Sequence, residues 1–517
     1  MSLTKEDIAI LAIIRDALGT LYGSTSFTGD YQLVYLLDII KRTRPRFYLG
    51  IMSTGTGKSS AFHVSAYVQQ QNWKKNGCRG SRPISVVTTA CSFLLFTLAQ
   101  ETNALRHLRA HVWTNDSETL STIPADVDII FVTLAAATHT NFHQALKQLD
   151  DSSRLMDIFV DEAHLIPSWK SFYRDIHVAI TSYFKKFIRS SIYFLSASME
   201  PSLVQVMQEY LELTSIEIFR TPCNRSNIAV GITQVPIGKT ILHFSASYIR
   251  QCMKLVENVP MHRLFVYTNN IHMCNSIYEE LRNSTDPTVL QFHSKLSEPE
   301  RGRILKQFQD DPRALTIIAT PGLGQGINSF STMVICVGPP YSVTDFYQQA
   351  GRTGRKTPYG VGTIIVDIQN PPNQNDAVTN SMSFTAHANI SHQVTELIRL
   401  KSCYRKCMTA IIDGDEGLNC LADSRSLPCG YCFHNELTDR NRELLEKSSS
   451  ELVRHFYLNC KVDSIPPEQP DIPVSSTIET STSRNVTYTS LSKLPVSTLT
   501  STPQRIQEGE IYYPDIG

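Results

Sequence analysis

Two stretches of the chain carry residues whose types and spacing could act on phosphate. The first, "IMSTGTGKSS" (51–60), ends an apolar run, "RFYLGIM", in small residues, two glycines, a lysine and hydroxyls. Such a segment is either a phosphate cradle or a strand running into a flexible turn. A cradle needs backbone N–H groups turned inward around an anion and a helix whose positive end begins there. It also needs a lysine for the β/γ-phosphates and a hydroxyl for magnesium. Thr54, Gly55, Thr56, Gly57, Lys58, Ser59 and Ser60 can supply these parts. Gly55 and Gly57 give the permissive backbone, Lys58 the cation and Ser59 the magnesium (Mg2+) hydroxyl. Met52 departs from the general pattern, which has a glycine there.

The second stretch, "IFVDEAH" (158–164), decides between the two readings. An apolar run ends in adjacent carboxylates and a histidine. Asp161 suits magnesium at the tip of a neighbouring strand. Glu162, pointing the other way, suits orienting and deprotonating an attacking water, and His164 suits relaying the state of the site. Asp161 as a simple helix cap is the competing reading, and a lysine loop upstream at α/β spacing weighs against it. Further on, "SAS" (196–198) offers the hydroxyls of Ser196 and Ser198 to the acidic cluster. "QQAGRTGR" (348–355) sets Arg352 and Arg355 one helical turn apart, beside Gln348 and among glycines that allow close approach. Arginine suits bidentate phosphate contact. Supplied from a second domain, it makes hydrolysis depend on closure.

A separate chemistry lies in "CYRKCMTAIIDGDEGLNCLADSRSLPCGYC" (403–432), which holds five of the chain's 12 cysteines. Cys429 and Cys432 sit on a tight "CGYC" turn suited to tetrahedral thiolate ligation of zinc (Zn2+). Cys420 and either Cys403 or Cys407 complete four ligands.

These residues require elements that bring them together. Strand patterns at 46–52, 84–90, 127–133, 156–163 and 191–197 alternate with helical stretches. A second set follows at 263–268, 314–320, 332–338 and 360–367, after a break near 213–230. Such alternation predicts α/β architecture, with two tandem parallel-sheet domains flanked by helices. The expected division is 1–215, 216–400, a small helical cysteine-bearing subdomain at 401–458, and a Ser/Thr/Pro-rich tail at 459–517 expected to be disordered. The chain has 517 residues, and Lys+Arg and Asp+Glu are both 48, so no global field draws it to a polyanion or a membrane. A polyanion would have to bind in a local groove. No run approaches the ~18–20 continuous apolar residues of a membrane span. Neither a signal peptide nor a secreted-type cysteine pattern is apparent, which points to a reducing compartment. The basic run "KRTRPR" (41–46) reads as a solvated loop or a localisation signal.

Residues of about 20–435 resemble a superfamily-2 helicase, and more narrowly the RecQ family of DNA helicases. The superfamily likeness rests on "MSTGTGKSS", "DEAH", "SAS" and "QQAGRTGR". The narrower likeness rests on "FTGDYQ" (27–32), "HLIPSWKSFYR" (164–174), "NRSNI" (224–228), "FHSKLSEPERGRI" (292–304) and "TPGLGQGIN" (320–328). The spacing of "FTGDYQ" is similar to fungal telomere- or transposon-linked members.

The resemblance implies RecA-like domains, ATP between them, and ATP-driven 3′→5′ unwinding of DNA with a role in repair or recombination. The implied partners are single-stranded DNA and duplex junctions, with nuclear residence in a eukaryote. It makes Gln32 the adenine contact and Gly324 and Gly326 nucleotide-side coupling residues. Trp169, Phe172, Tyr173 and Arg174 become an aromatic strand-sensing loop, and Cys403 the fourth zinc ligand. Thr28 and Asn328 depart from the family's usual arginine and aspartate. A nucleic-acid-binding ATPase remnant of a mobile element and an RNA translocase are the alternatives.

Overall fold

The computed structural model describes residues 4–460 and 488–490, apart from 28–29, 42–46, 54, 79–80, 90–91, 115–118, 167–189, 214, 258, 260–261, 283–287, 322–330, 356, 368–383, 421, 423–425, 436–442 and 444–449. Two parallel sheets organise it. The first contains β1 (Phe47–Ile51), β2 (Ile84–Thr89), β3 (Ala110–Trp113), β4 (Ile129–Thr133), β5 (Leu155–Val160), β6 (Ser191–Ser196) and β7 (Glu217–Arg220). The second contains β8 (Ile228–Gln234), β9 (Arg263–Thr268), β10 (Val289–Phe292), β11 (Thr316–Ala319), β12 (Ser331–Val337) and β13 (Gly360–Val366). A short β14 (Tyr488–Ser490) pairs with β7, so the first sheet runs β14-β7-β1-β6-β5-β2-β4-β3. The second runs β10-β11-β9-β12-β13-β8.

Helices cover both faces of each sheet, and the strands are accordingly buried on both sides. Leu49 and Ile51 of β1 enter one core while Tyr48 enters the opposite one. In β9, Phe265 and Tyr267 face one way and Leu264 and Val266 the other. The period of two along each strand thus feeds four cores. Gly50 leaves room for Tyr35, whose ring lies 2.7 Å from where a Cβ would stand. That close approach seats the helix Asp30–Lys41 on β1 beside the lysine loop.

Three expectations shift. β7 belongs to the first sheet, so the crossing between sheets falls at 221–227 and not at 215/216. The short strands β3, β7 and β10 are only partly buried, unlike the equally short β11, so no continuous apolar run marks them, and β8 begins inside the apparent break. The cysteine-bearing segment packs against the second sheet. Cys403, Tyr404, Met408, Ile412 and Cys420 share one core with β8, β9 and β12, and the helix Glu451–Asn459 packs into the other face's core. Within the tail, the described residues are Asn459, Cys460 and the three of β14. Among the described residues no helix is long and apolar enough to cross a membrane.

Candidate active site and cysteine site

The lysine loop follows β1 directly. Gly55 and Gly57 adopt φ of +84° and +83°, a region that side chains rarely tolerate. The helix Ser60–Lys75 then starts with no acidic residue in its first turn, so its positive end faces the loop uncompensated. Lys58 Nζ donates to the Met52 carbonyl at 3.3 Å. Thr56 Oγ1 donates to the Ser53 carbonyl at 2.7 Å, and Ser60 Oγ to that of Gly57 at 2.6 Å. Ser59 makes no capping bond with its hydroxyl. Gln32, buried, donates its amide to Ser60 Oγ at 3.0 Å, which ties its helix to the loop.

Opposite the loop, β5 leads directly into Asp161 and Glu162. Glu162 has φ of +54°, an unusual conformation for a non-glycine residue, and its N–H donates to Asp161 Oδ1 at 3.0 Å. Burial pushes the Asp161 carboxyl up to about 7, with Glu162 adding to the rise and Lys58 opposing it. Burial pushes Lys58 down, against the pull of Glu162 and Asp161. Glu162 Oε2 is buried and makes no hydrogen bond, although His164 Nδ1 lies 3.4 Å away. Acidic groups so enclosed fit a divalent cation. Asp161 and Ser59 would hold magnesium, which supplies charge neutralisation at the phosphates.

The second domain contributes the other wall. Arg352 is buried, and its Nε lacks a hydrogen-bond partner. Arg355 Nε donates to the Gly351 carbonyl at 3.0 Å, and burial together with Arg352 and Arg225 pushes it down to about 9. A cluster of guanidiniums facing a lysine loop and a carboxylate pair suits a polyphosphate that threads between them. Gln348 bridges the two domains. Its Nε2 donates to His164 Nε2 at 3.1 Å and to Ser198 Oγ at 2.9 Å. His164 therefore carries its proton on Nδ1, which faces Ser196 Oγ at 3.2 Å. Burial keeps this ring below its ordinary pKa and thus neutral at pH 7. Ser196 Oγ in turn donates to the Ser198 carbonyl at 2.8 Å. Nearby, Thr344 Oγ1 donates to Glu200 Oε1 at 2.9 Å, a second buried bond across the cleft.

The thiols of Cys403, Cys420, Cys429 and Cys432 lie within 4.8 Å of one another, all buried. Zinc–sulfur bonds of about 2.3 Å in a tetrahedron set sulfur–sulfur edges near ~3.8 Å. The Cys403–Cys420 and Cys429–Cys403 separations are 3.6 and 3.9 Å. Hydrogen bonds from Cys403, Cys429 and Cys432 hold the Cys420 thiol far below its usual pKa. Backbone N–H groups of Lys406 and Cys420 point at Cys403 Sγ, and that of Cys429 at Cys420 Sγ. Cys407 stands apart, and burial raises its pKa. The donor set fits zinc.

The structure thus brings together Gln32, Gly55, Thr56, Gly57, Lys58, Ser59, Ser60, Asp161, Glu162, His164, Ser196, Ser198, Gln348, Arg352 and Arg355. Thr54, Trp169, Phe172, Tyr173, Arg174, Gly324 and Gly326 lie outside the described residues. Arg225, Arg405, Glu200 and Thr344 had no role in the sequence reading. Arg225 could have been noticed within "NRSNI", but only the fold reveals what it faces.

Tandem RecA-like domains whose second member lays arginines across a lysine loop and a DEAH box define a nucleotide-driven motor of the superfamily-2 helicase class. Residues 35–206 match the DEAD/DEAH box helicase family, and residues 247–357 the helicase conserved C-terminal domain. Rat ATP-dependent DNA helicase Q5 is 21% identical over 66% of this chain and 35% of its own length. ATP-dependent DNA helicase RecQ of Pasteurella multocida is 21% identical over 68% of this chain and 51% of that protein. The chain therefore spans between a third and just over half of these relatives. The helicase MrfA bound to DNA superposes with a TM-score of 0.56 at 13% identity, over 77% of this chain and 58% of that one. The DEAD-box helicase Mss116 bound to single-stranded RNA gives 0.55 at 15% identity, over 76% and 80%. These structural likenesses speak for the fold. Both helicase regions in order, together with these relatives, support a superfamily-2 helicase of the RecQ type.

Proposed function

We propose that this protein is an ATP-dependent DNA helicase that moves 3′→5′ along a single strand and unwinds duplex ahead of it. The observation that carries this reading is the opposition of Lys58, Asp161 and Glu162 on one domain to Arg352 and Arg355 on the other, bridged by Gln348 and His164. Lys58 and the loop N–H groups bind the β/γ-phosphates. Glu162, its Oε2 free of hydrogen bonds, takes the proton of the attacking water. Arg352 and Arg355 offset charge that builds on the terminal phosphate, so hydrolysis proceeds only when the domains are closed. Product release loosens this contact, and alternate closing and opening advances the strand. DNA as substrate and the polarity rest on the RecQ likeness. Zinc at Cys403, Cys420, Cys429 and Cys432 has a structural role.

Strand displacement on duplexes with 3′ or 5′ single-stranded tails, on forks and on RNA counterparts tests the proposal. ATP-dependent release from 3′-tailed DNA is expected. Release from 5′ tails alone would overturn the polarity, and activity confined to RNA would overturn the substrate.

A further inference from the structure

Arg225 stands in the linker between the two sheets, and two parts of the molecule meet at its side chain. Its Nη2 donates to the Gly354 carbonyl at 2.9 Å, inside the turn that separates Arg352 from Arg355. Its Nη1 lies 3.8 Å from where a Cβ on Gly55 would be, against the lysine loop of the other domain. The linker backbone that carries it is held from behind by the cysteine-bearing segment. Arg405, itself buried, donates Nη1 to Asn224 Oδ1 at 2.7 Å and to the Arg225 carbonyl at 2.9 Å. Its Nη2 donates to the carbonyls of Ile228 and Leu427 at 2.6 and 2.8 Å, and its Nε faces Cys420 Sγ at 3.3 Å. At the far end of the same helix, Tyr404–Asp413, the Asp413 carboxylate accepts the Cys223 N–H at 2.9 Å.

We propose that Arg225 is a third arginine of the nucleotide site that reads the terminal phosphate across the cleft, and that Arg405 is the positioning residue holding it there. This rests on the nucleotide reading given above. The guanidinium is planar with its donors in a fixed fork, so one edge can grip the Gly354 turn while the other faces the loop. A phosphate bound at Gly55 would then draw Arg225, and through Gly354 the turn carrying Arg352 and Arg355, toward the first domain. Arg225 also presses its charge on Arg355, a repulsion that an added anionic group relieves. The group that Arg225 would read is the terminal phosphate, which ATP carries and ADP lacks.

The test is titration of the full chain with fluorescent ADP and with a fluorescent non-hydrolysable ATP analogue. Arg225→Ala is expected to weaken the ATP analogue about tenfold or more and ADP less than about twofold. Arg225→Lys should recover only part of the loss, because an ammonium cannot hold the carbonyl and the phosphate together. Arg405→Gln should give the same split with zinc content unchanged by elemental analysis. Equal loss for both nucleotides, or none, in Arg225→Ala would mean that Arg225 only pins the domains, and the inference falls. An Arg405→Gln protein without the split removes its positioning role. Lys58→Ala, titrated in parallel, separates this failure from failure of the nucleotide reading, which would show as unchanged affinity for both ligands.

Discussion

Glu162 is where a single residue carries most of the chemistry asked of the first domain. Its left-handed backbone (φ of +54°) turns the chain sharply after β5, at a cost on the order of 1 kcal/mol or more. The surrounding sheet holds it there: the next residue, Ala163, donates its N–H to the Leu195 carbonyl at 2.8 Å, and Asp161 donates to the Thr88 carbonyl at 2.9 Å. Both carboxylates act on Lys58, and Glu162 also lies 3.4 Å from His164 Nδ1. Glu162→Gln keeps shape but cannot take a proton from water. Nucleotide affinity should stay close to that of the unaltered protein, while turnover should fall about 10²–10⁴-fold. Steady-state ATPase measured beside a nucleotide titration checks this, and undiminished turnover would remove Glu162 from the role of base.

Among the elements, the helix Tyr404–Asp413 has the widest reach. Cys403 caps its start, its C-terminal Ile412 carbonyl accepts from Arg220 Nη1 at 2.8 Å, and Asp413 grips the linker. It therefore touches the first domain, the linker and the cysteine site at once. Thiolate-bound zinc contributes on the order of 10 kcal/mol to folding in small sites. Elemental analysis should find one zinc per chain. Cys403→Ser or Cys432→Ser should lose it and become protease-sensitive, whereas Cys407→Ser, outside the cluster, should retain both metal and stability. Zinc lost from Cys407→Ser but kept in Cys403→Ser would reverse the ligand assignment.

At the scale of the whole molecule, polar side-chain bridges join the domains. Gln348 reaches His164 and Ser198, and Thr344 reaches Glu200. Burial pushes the Glu200 carboxyl up, with the Thr344 bond opposing the rise. A closed arrangement held by a few hydrogen bonds, each worth about 0.5–1.5 kcal/mol, can open and close within a catalytic cycle. Gln348→Ala should leave the melting temperature and ADP affinity nearly unchanged. It should lower the ratio of DNA-stimulated to basal ATPase by about tenfold, because His164 loses its partner in the second domain. A normal ratio in this variant would assign Gln348 to packing alone.

The alternation of strand and helix patterns was enough to read two parallel α/β domains, because a strand buried on both faces leaves a continuous apolar run that no surface element shares. The lysine loop, "DEAH", "QQAGRTGR" and the "CGYC" turn were legible for a related reason: each packs its chemistry into a few consecutive residues. What the sequence did not contain were the short strands β3, β7 and β10, whose partly exposed residues leave no continuous apolar run, and the position of the linker, which pairing of β7 with β1 decided. The choice of Cys403 over Cys407 had rested on resemblance. One helical turn separates them, and only packing turns one sulfur into the cluster and the other away. Arg225 and Arg405 lie 180 positions apart, and no local pattern links them. Their contact exists because the helix Tyr404–Asp413 folds back on the linker, a long-range closure that tertiary burial alone stabilises.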